Sequence, residues 1–359
     1  MDHSKAKAMV FRQAQTPFIP YEINLPELQT GEVLVKIKYT TICTSDLHTF
    51  TGRRCSHSPS ILGHEIIGEV IDLKDGKDFH GHALNIGDRV TWAVYAYDPA
   101  CKMAKKGIPQ KSESLYKYGH EKLVNKQNLS GGFATHCHLK QGSSIFKLPE
   151  NLSPEEATPL NCTHATIAGA LRMTGDITDK NVLIIGAGML GLSACAMAKE
   201  AGAKHVWAMD IDQARLAKAR AFGASGVLDA NETVESLNQE LSPTDGIDVV
   251  IETSGVPSAI ENAIALGNIG SIHVWVGAVY SQRDLAINAE KIVRNLITLK
   301  GLHNYIPEDL AYAIRFLSAA KHKYPFHELV SQDFPLSQLD KAFETANKGG
   351  HYRVGIRQS

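Results

Sequence analysis

The sequence predicts a mixed α/β protein of two domains, one mostly β and the other a doubly wound parallel sheet. Three observations carry that prediction. At 359 residues, 43% of them hydrophobic, the chain is longer than one core usually serves. From Ala8 to about Leu148 it reads as short apolar segments broken by turn residues. From Asn181 onward apolar strands alternate with helical stretches, the pattern of a parallel sheet with right-handed crossovers.

In chain order, GEVLVKIKYTTI alternates, IIGEVIDL is strand-like, and GDRVTWAVYAY opens on a Gly-Asp turn. At LSPEEATPL the texture changes: Ser153 offers a helix cap, with Glu155 and Glu156 following in the first turn. Then come VLIIG, helical GLSACAMAKEAGA, HVWAMDID, helical ARLAKARAFGA, GIDVVIETSG and SIHVWVGAV. VLIIG and DVVIE are apolar without alternation, as expected of strands covered on both faces. DLAYAIRFLSAAKH reads as a late helix, and the segment from Pro307 to Ser359 is expected to return to the first half. The predicted boundaries are 1–153, completed by 306–359, for the β-rich domain and 154–305 for the parallel sheet. There is no internal repeat and no low-complexity linker.

Lys plus Arg number 37 against 38 Asp plus Glu, so the net charge of −1 leaves no electrostatic footprint for nucleic acid. MDHSKAKAMVFRQAQ lacks the apolar stretch of a secretory signal. The run from Val182 to Ala198 is short for a membrane span and holds three glycines. Six scattered cysteines give no disulfide framework, so reduced thiols and a cytoplasmic location are expected.

After the strand Val182–Ile185 comes GAGMLG, in which Gly186, Gly188 and Gly191 frame Met189 and Leu190. Gly186 permits a tight turn, Gly188 lets backbone approach a pyrophosphate, and Gly191 allows close helix-to-strand packing, with the helix N-terminus facing the anion. Asp210 ends the next strand, about twenty residues on, where a carboxylate accepts hydrogen bonds from ribose hydroxyls. An acid there repels a ribose 2′-phosphate, and Ile211 and Asp212, which follow it, offer no adjacent arginine to welcome one, so NAD is read over NADP. Gly255 and Gly277 sit at further carboxyl ends of strands, where ligands of open parallel sheets gather.

ILGHEIIGEV carries a histidine and a glutamate inside an apolar run. Cys43, His64 and Cys162 together would make a three-ligand zinc set with a fourth position open, as in a catalytic site. Spacing alone leaves open the alternative of a structural histidine and inert, packed cysteines. The ordered series CTSDLHTFTGRR, GHEIIGEV, GDRV, GGFATHC, NCTHAT and GAGMLG resembles the zinc-dependent alcohol dehydrogenases of the medium-chain dehydrogenase/reductase superfamily over essentially the whole chain.

That resemblance implies a GroES-like catalytic domain built from both chain ends, a Rossmann domain inserted between, and an active site in the cleft. It implies that Cys43, His64 and Cys162 bind the catalytic zinc, that Glu65 lies beside the metal, and that Asp46 orients a zinc-bound imidazole. Ser45 and His48 correspond to a proton relay. Homodimers or homotetramers are implied. Members with a second, structural zinc carry four cysteines spaced C-x2-C-x2-C-x7-C. Here Asp98, Cys101, Ala104 and Ser112 occupy those positions, so one zinc is expected, the alternative being rescue by a histidine such as His120. In GGFATHCHLK, alternation puts His136 and His138 on one face and Cys137 on the other, which argues for structure rather than a metal site.

The chemistry implied is hydride transfer between a small alcohol and NAD. Arg53 and Arg54 offer planar donors that suit phosphate, phosphonate or carboxylate, or else form a solvated rim. The segments KGIPQKSESLYKYGHE and GLHNYIPEDL, with those above, resemble the phosphonate-catabolism-associated subgroup, which implies a hydroxyalkylphosphonate substrate. A neutral alcohol or polyol, the zinc-free reductase branch, and a non-catalytic nucleotide-binding protein are the alternatives.

Overall fold

The computed structural model describes residues 4–124 and 128–358. The N-terminal stretch read for export signals lies partly outside them. The chain divides into two compact units, residues 1–162, 306–319 and 326–359 against 163–305 and 320–325.

The first unit is built on β1 (Lys5–Val10), β2 (Ile19–Asn24), β3 (Val33–Ile42), β4 (Glu65–Leu73), β5 (Arg89–Ala96), β6 (Tyr116–Lys117), β7 (His136–Leu139) and β8 (Ser143–Lys147). The pair β1–β2 is antiparallel, and β3 pairs antiparallel with β4 and with β7. Alternation along β3 sends Val33, Val35 and Ile37 into a core with Val70, Trp92 and Cys137. A second cluster joins Val10, Phe18, Phe133 and Phe343. The short helices here are α1 (Thr44–Phe50), α2 (Lys102–Lys105) and α3 (Pro154–Ala157). Ser153 caps α3 in a reciprocal box with Glu156, as the sequence predicted.

The second unit alternates α4 (Thr163–Thr174), β9 (Asn181–Ile185), α5 (Met189–Glu200), β10 (His205–Asp210), α6 (Gln213–Ala221), β11 (Gly226–Asp229), α7 (Val234–Leu241), β12 (Ile247–Glu252), α8 (Pro257–Leu266), β13 (Gly267–Trp275), α9 (Ala289–Arg294) and β14 (Thr298–Gly301). Its parallel sheet has the order β11-β10-β9-β12-β13-β14, the doubly wound arrangement whose ligand crevice lies outside the carboxyl ends of the central strands. All five residues of β9 are buried, which explains its unbroken apolar run.

The chain ends with α10 (Pro307–Ala320), β15 (Val330–Pro335), α11 (Leu339–Asn347) and β16 (Arg353–Arg357). β16 pairs antiparallel with β3, so the C-terminus completes the first unit's sheet. No helix among the described residues is long and apolar enough to cross a membrane.

Candidate functional site

One register of the β3–β4 pair sets the geometry. Thr41 lies opposite Glu65, so the residues just beyond the paired stretch, Cys43 and His64, emerge at the same end of the ladder. Cys43 caps α1, and Gly63, at φ +85°, makes the turn into β4. Cys162 follows a 3-10 turn at Thr158–Asn161, where Asn161 donates to the Trp92 carbonyl at 3.0 Å. One ligand atom each from Cys43, His64 and Cys162 lies within 4.8 Å of the others. A tetrahedral zinc with two sulfurs and one nitrogen sets its donors roughly 3.6–3.8 Å apart, so the three fit the ion after small rotamer shifts.

Asp46 fixes this corner. Its Oδ2 accepts the Cys43 N–H at 3.0 Å and its Oδ1 accepts the Gly63 N–H at 3.3 Å. The same Oδ1 stands 3.3 Å from His64 Nδ1, a contact of ion-pair length without hydrogen-bond angles, which directs Nε2 away from the carboxylate. Ser45 Oγ is 3.4 Å from that Nε2. Ser45 and His48 are three residues apart on α1, on one helical face. His48 is half-buried, and burial, then the charge of Arg53, lowers its pKa below the ordinary histidine value.

Arg353 on β16 was not found in the sequence. Its guanidinium grips Glu65 with two bonds, Nε to Oε2 at 2.7 Å and Nη2 to Oε1 at 2.8 Å, and Nη2 also reaches Cys43 Sγ at 3.5 Å. Thr41 Oγ1 donates to Glu65 Oε2 at 2.5 Å. Glu65 is therefore a paired buried carboxylate beside a metal-ligand candidate rather than a free base. Without metal, Cys43 is held well below the ordinary thiol range, first by the hydrogen bond from the Cys162 thiol and then, against burial, by Arg353. Cys162, keeping its proton for that bond and buried, is pushed well above. For His64 burial acts downward, but the Asp46 carboxylate and Cys43 outweigh it and raise the pKa to about 10. A cation is wanted among these groups, and the proton on His64 stands in for it.

The other predicted positions fall elsewhere. Arg53 is exposed and Arg54 half-buried just after α1. In the second unit Gly186 turns at φ +87°, and a Cβ at Gly191 would lie 1.7 Å from the Gly186 carbonyl oxygen. A Cβ at Gly188 would meet nothing within 4 Å, leaving open space at the N-terminus of α5, which begins at Met189 and Leu190. That is the room a pyrophosphate needs. Asp210 Oδ2 accepts the Ala187 N–H at 2.7 Å and so braces the loop. Gly255 and Gly277 pack on each other: a Cβ on Gly255 would stand 2.5 Å from the Gly277 oxygen. Glu252 Oε1 accepts the N–H groups of Ser254 and Gly255 at 2.6 Å each, bracing that turn.

In the segment 98–112, Asp98 Oδ1 accepts the Ala100 N–H at 2.8 Å, Cys101 Sγ caps α2 by accepting from Ala104 N at 3.4 Å, and the Ser112 hydroxyl meets that of Ser114 at 3.2 Å. His120 stands with its ring 5.4 Å from that of His64 rather than in this lobe. His138 Nε2 pairs with Glu32 Oε2 at 2.9 Å while Cys137 lies in the core, so this cluster has local structural partners.

Residues 29–150 match the family described as alcohol dehydrogenase GroES-like domain, and residues 190–319 match that described as zinc-binding dehydrogenase. The chain is 31% identical over 337 residues to a sorbitol dehydrogenase of Halalkalibacterium halodurans, covering 92% of this chain and 93% of that one. It is 31% identical over 334 residues to an L-threonine 3-dehydrogenase of Pseudoalteromonas translucida, again covering 92% and 93%. An alcohol dehydrogenase structure from Thermotoga maritima superposes with a TM-score of 0.92 at 25% identity, covering 99% of this chain and 100% of that one. The chain belongs to the zinc-dependent alcohol dehydrogenases of the medium-chain superfamily, with a GroES-like and a Rossmann domain.

Proposed function

We propose that this chain uses one zinc ion per chain, held by Cys43, His64 and Cys162, and NAD to oxidise a small alcohol to its aldehyde or ketone, or to reduce that carbonyl. The observation that carries the reading is the convergence of one imidazole and two thiols within 4.8 Å in a zinc-dehydrogenase chain. When bound, zinc supplies Lewis acidity to a substrate oxygen, and NAD supplies the hydride acceptor.

The chain's own residues do the rest. Asp46 fixes the imidazole so that Nε2 is the donor, and Arg353 neutralises Glu65 so that no second buried negative charge stands unpaired beside the sulfurs. Ser45 accepts the proton released from the substrate hydroxyl and passes it to His48, whose lowered pKa lets it release that proton near neutral pH. Gly186, Gly188 and Gly191 give the dinucleotide its backbone cradle, and Asp210 suits a ribose hydroxyl rather than a phosphate. Cys101 and Ser112 already have local partners, which supports a single zinc. Arg53 and Arg54 favour an anionic alcohol, a hydroxyalkylphosphonate as the subgroup resemblance implies. The active unit is read as a homodimer or homotetramer.

A neutral polyol is the second reading, favoured by the sorbitol dehydrogenase relative. Zinc analysis with NADH formation tests both: about one zinc per chain is expected, with faster turnover of hydroxyalkylphosphonates than of polyols. No zinc on purification from zinc-supplied cells would end the metal reading, and a clear polyol preference would end the anionic one.

A further inference from the structure

We infer that Glu252 sets the charge preference of the cofactor site: its buried carboxylate favours the oxidised, cationic nicotinamide ring over the reduced, neutral one. The inference rests on the dehydrogenase reading above and concerns the second unit alone.

Glu252 ends β12, at the switch point of the parallel sheet. In the order β11-β10-β9-β12-β13-β14 the chain runs outward one way from β9 and the other way from β12, and a dinucleotide crosses the crevice there with one nucleotide over each half. The glycine loop after β9 and Asp210 at the end of β10 belong to the half that takes the adenosine, which leaves the β12–β14 half for the nicotinamide. Glu252 pairs with Ile185 on one side and Trp275 on the other. The turn that follows it touches the glycine loop. Thr253 donates its N–H to the Ile185 carbonyl at 2.9 Å and its hydroxyl to the Gly186 carbonyl at 3.2 Å, and a Cβ on Gly186 would stand 3.2 Å from Ser254 N. Toward β13, a Cβ on Gly277 would stand 2.3 Å from Gly255 N. The turn that Glu252 holds is thus wedged between the glycine loop and the end of β13.

One carboxylate oxygen does all the holding. Oε1 accepts the Ser254 and Gly255 N–H groups at 2.6 Å each and the Ser254 hydroxyl at 2.7 Å. Oε2 is buried and has no hydrogen-bond partner among the described residues. An amide oxygen would accept the same three donors, so the brace alone does not require an acid. What the acid adds is charge, and among the described residues no lysine, arginine or histidine pairs with it. Burial raises its carboxyl above the ordinary value, and the Ser254 and Gly255 bonds act against that rise, as donors to a charged acceptor do. A buried charge without a counter-ion is costly. A cationic ring over the same half of the sheet relieves part of that cost, and a neutral ring does not. The pyrophosphate is common to both cofactor forms, so its repulsion by Glu252 cancels in the comparison. The consequence is preferential capture of the oxidised cofactor and easier release of the reduced one.

The test uses the zinc-loaded full chain beside Glu252→Gln and Glu252→Asp, each checked for zinc content and unfolding temperature. Calorimetry gives the Kd for NAD, for NADH and for benzamide adenine dinucleotide, whose ring has the flat shape of the oxidised nicotinamide without its charge. Wild type is expected to bind NAD about threefold or more tightly than the benzamide analogue. Glu252→Gln should lose that preference and raise the ratio of the NAD Kd to the NADH Kd by a similar factor, while Glu252→Asp, which keeps the charge, retains the wild-type ratio. A purely structural brace would weaken all three ligands alike in Glu252→Gln, and that outcome overturns the inference. So does a wild-type chain that binds the analogue as tightly as NAD, a comparison that holds even where Glu252→Gln does not fold. Binding of all three ligands with no charge preference fails Glu252 alone, whereas a wild-type chain that binds neither NAD nor NADH fails the nicotinamide reading itself.

Discussion

Two stretches of the first unit carry cysteines that the family resemblance puts at metal positions, and the two differ in how far away their partners lie. Around Cys43, a strand end, a turn and a 3-10 helix deliver two sulfurs and an imidazole to one point, and Asp46, Glu65 and Arg353 tie those deliverers together. In residues 98–112, Cys101, Asp98 and Ser112 each satisfy a neighbour two or three positions away. A metal site is thus a matter of long-range convergence, and a cysteine whose partner is local packing or capping has already been absorbed by the fold.

The sharpest way to break the comparison is at the tie itself. Glu65 and Arg353 are 0% and 3% exposed, and their pairing is bidentate. Arg353→Met leaves an uncompensated carboxylate in the core, and stability is expected to fall by about 3–5 kcal/mol. The double variant Glu65→Gln with Arg353→Met should recover a large part. Denaturant unfolding of both proteins measures this, and a double variant no better than the single one would mean that lost packing, not an orphaned charge, dominates.

A smaller effect is expected at Asp46. Replacing it with Asn keeps the shape but puts an amide where a carboxylate oxygen faces His64 Nδ1, so zinc affinity should drop about 10- to 100-fold while the fold survives. Competition with a chelator reads the affinity directly. An unchanged value would reduce Asp46 to a cap for α1.

Local chemistry made some of this legible in sequence. The glycine turn into α5, the covered strand β9 and the serine cap of α3 each depend on residues close together in the chain, and each is visible as a short pattern. Arg353 was not, because its partner is 288 positions away and meets it only through the β16–β3 pairing. A clue was present: RVGIR places an arginine at the head of a terminal strand whose next three residues are buried.

The smallest effect concerns Cys101, and there the contrast between the two stretches is most exposed to failure. Cys101 is partly buried, and its sulfur accepts one long backbone hydrogen bond from Ala104. Serine is the better helix cap, since its oxygen accepts more strongly than a thiol sulfur. Cys101→Ser should therefore shift stability by no more than about 0.5 kcal/mol in either direction and leave the zinc content at its wild-type value. If this lobe did hold an ion through Cys101, the same substitution would remove a soft ligand from a small loop. Zinc per chain would then fall and the lobe would become sensitive to proteolysis. Metal analysis of this one variant beside wild type decides whether capping alone accounts for the cysteine.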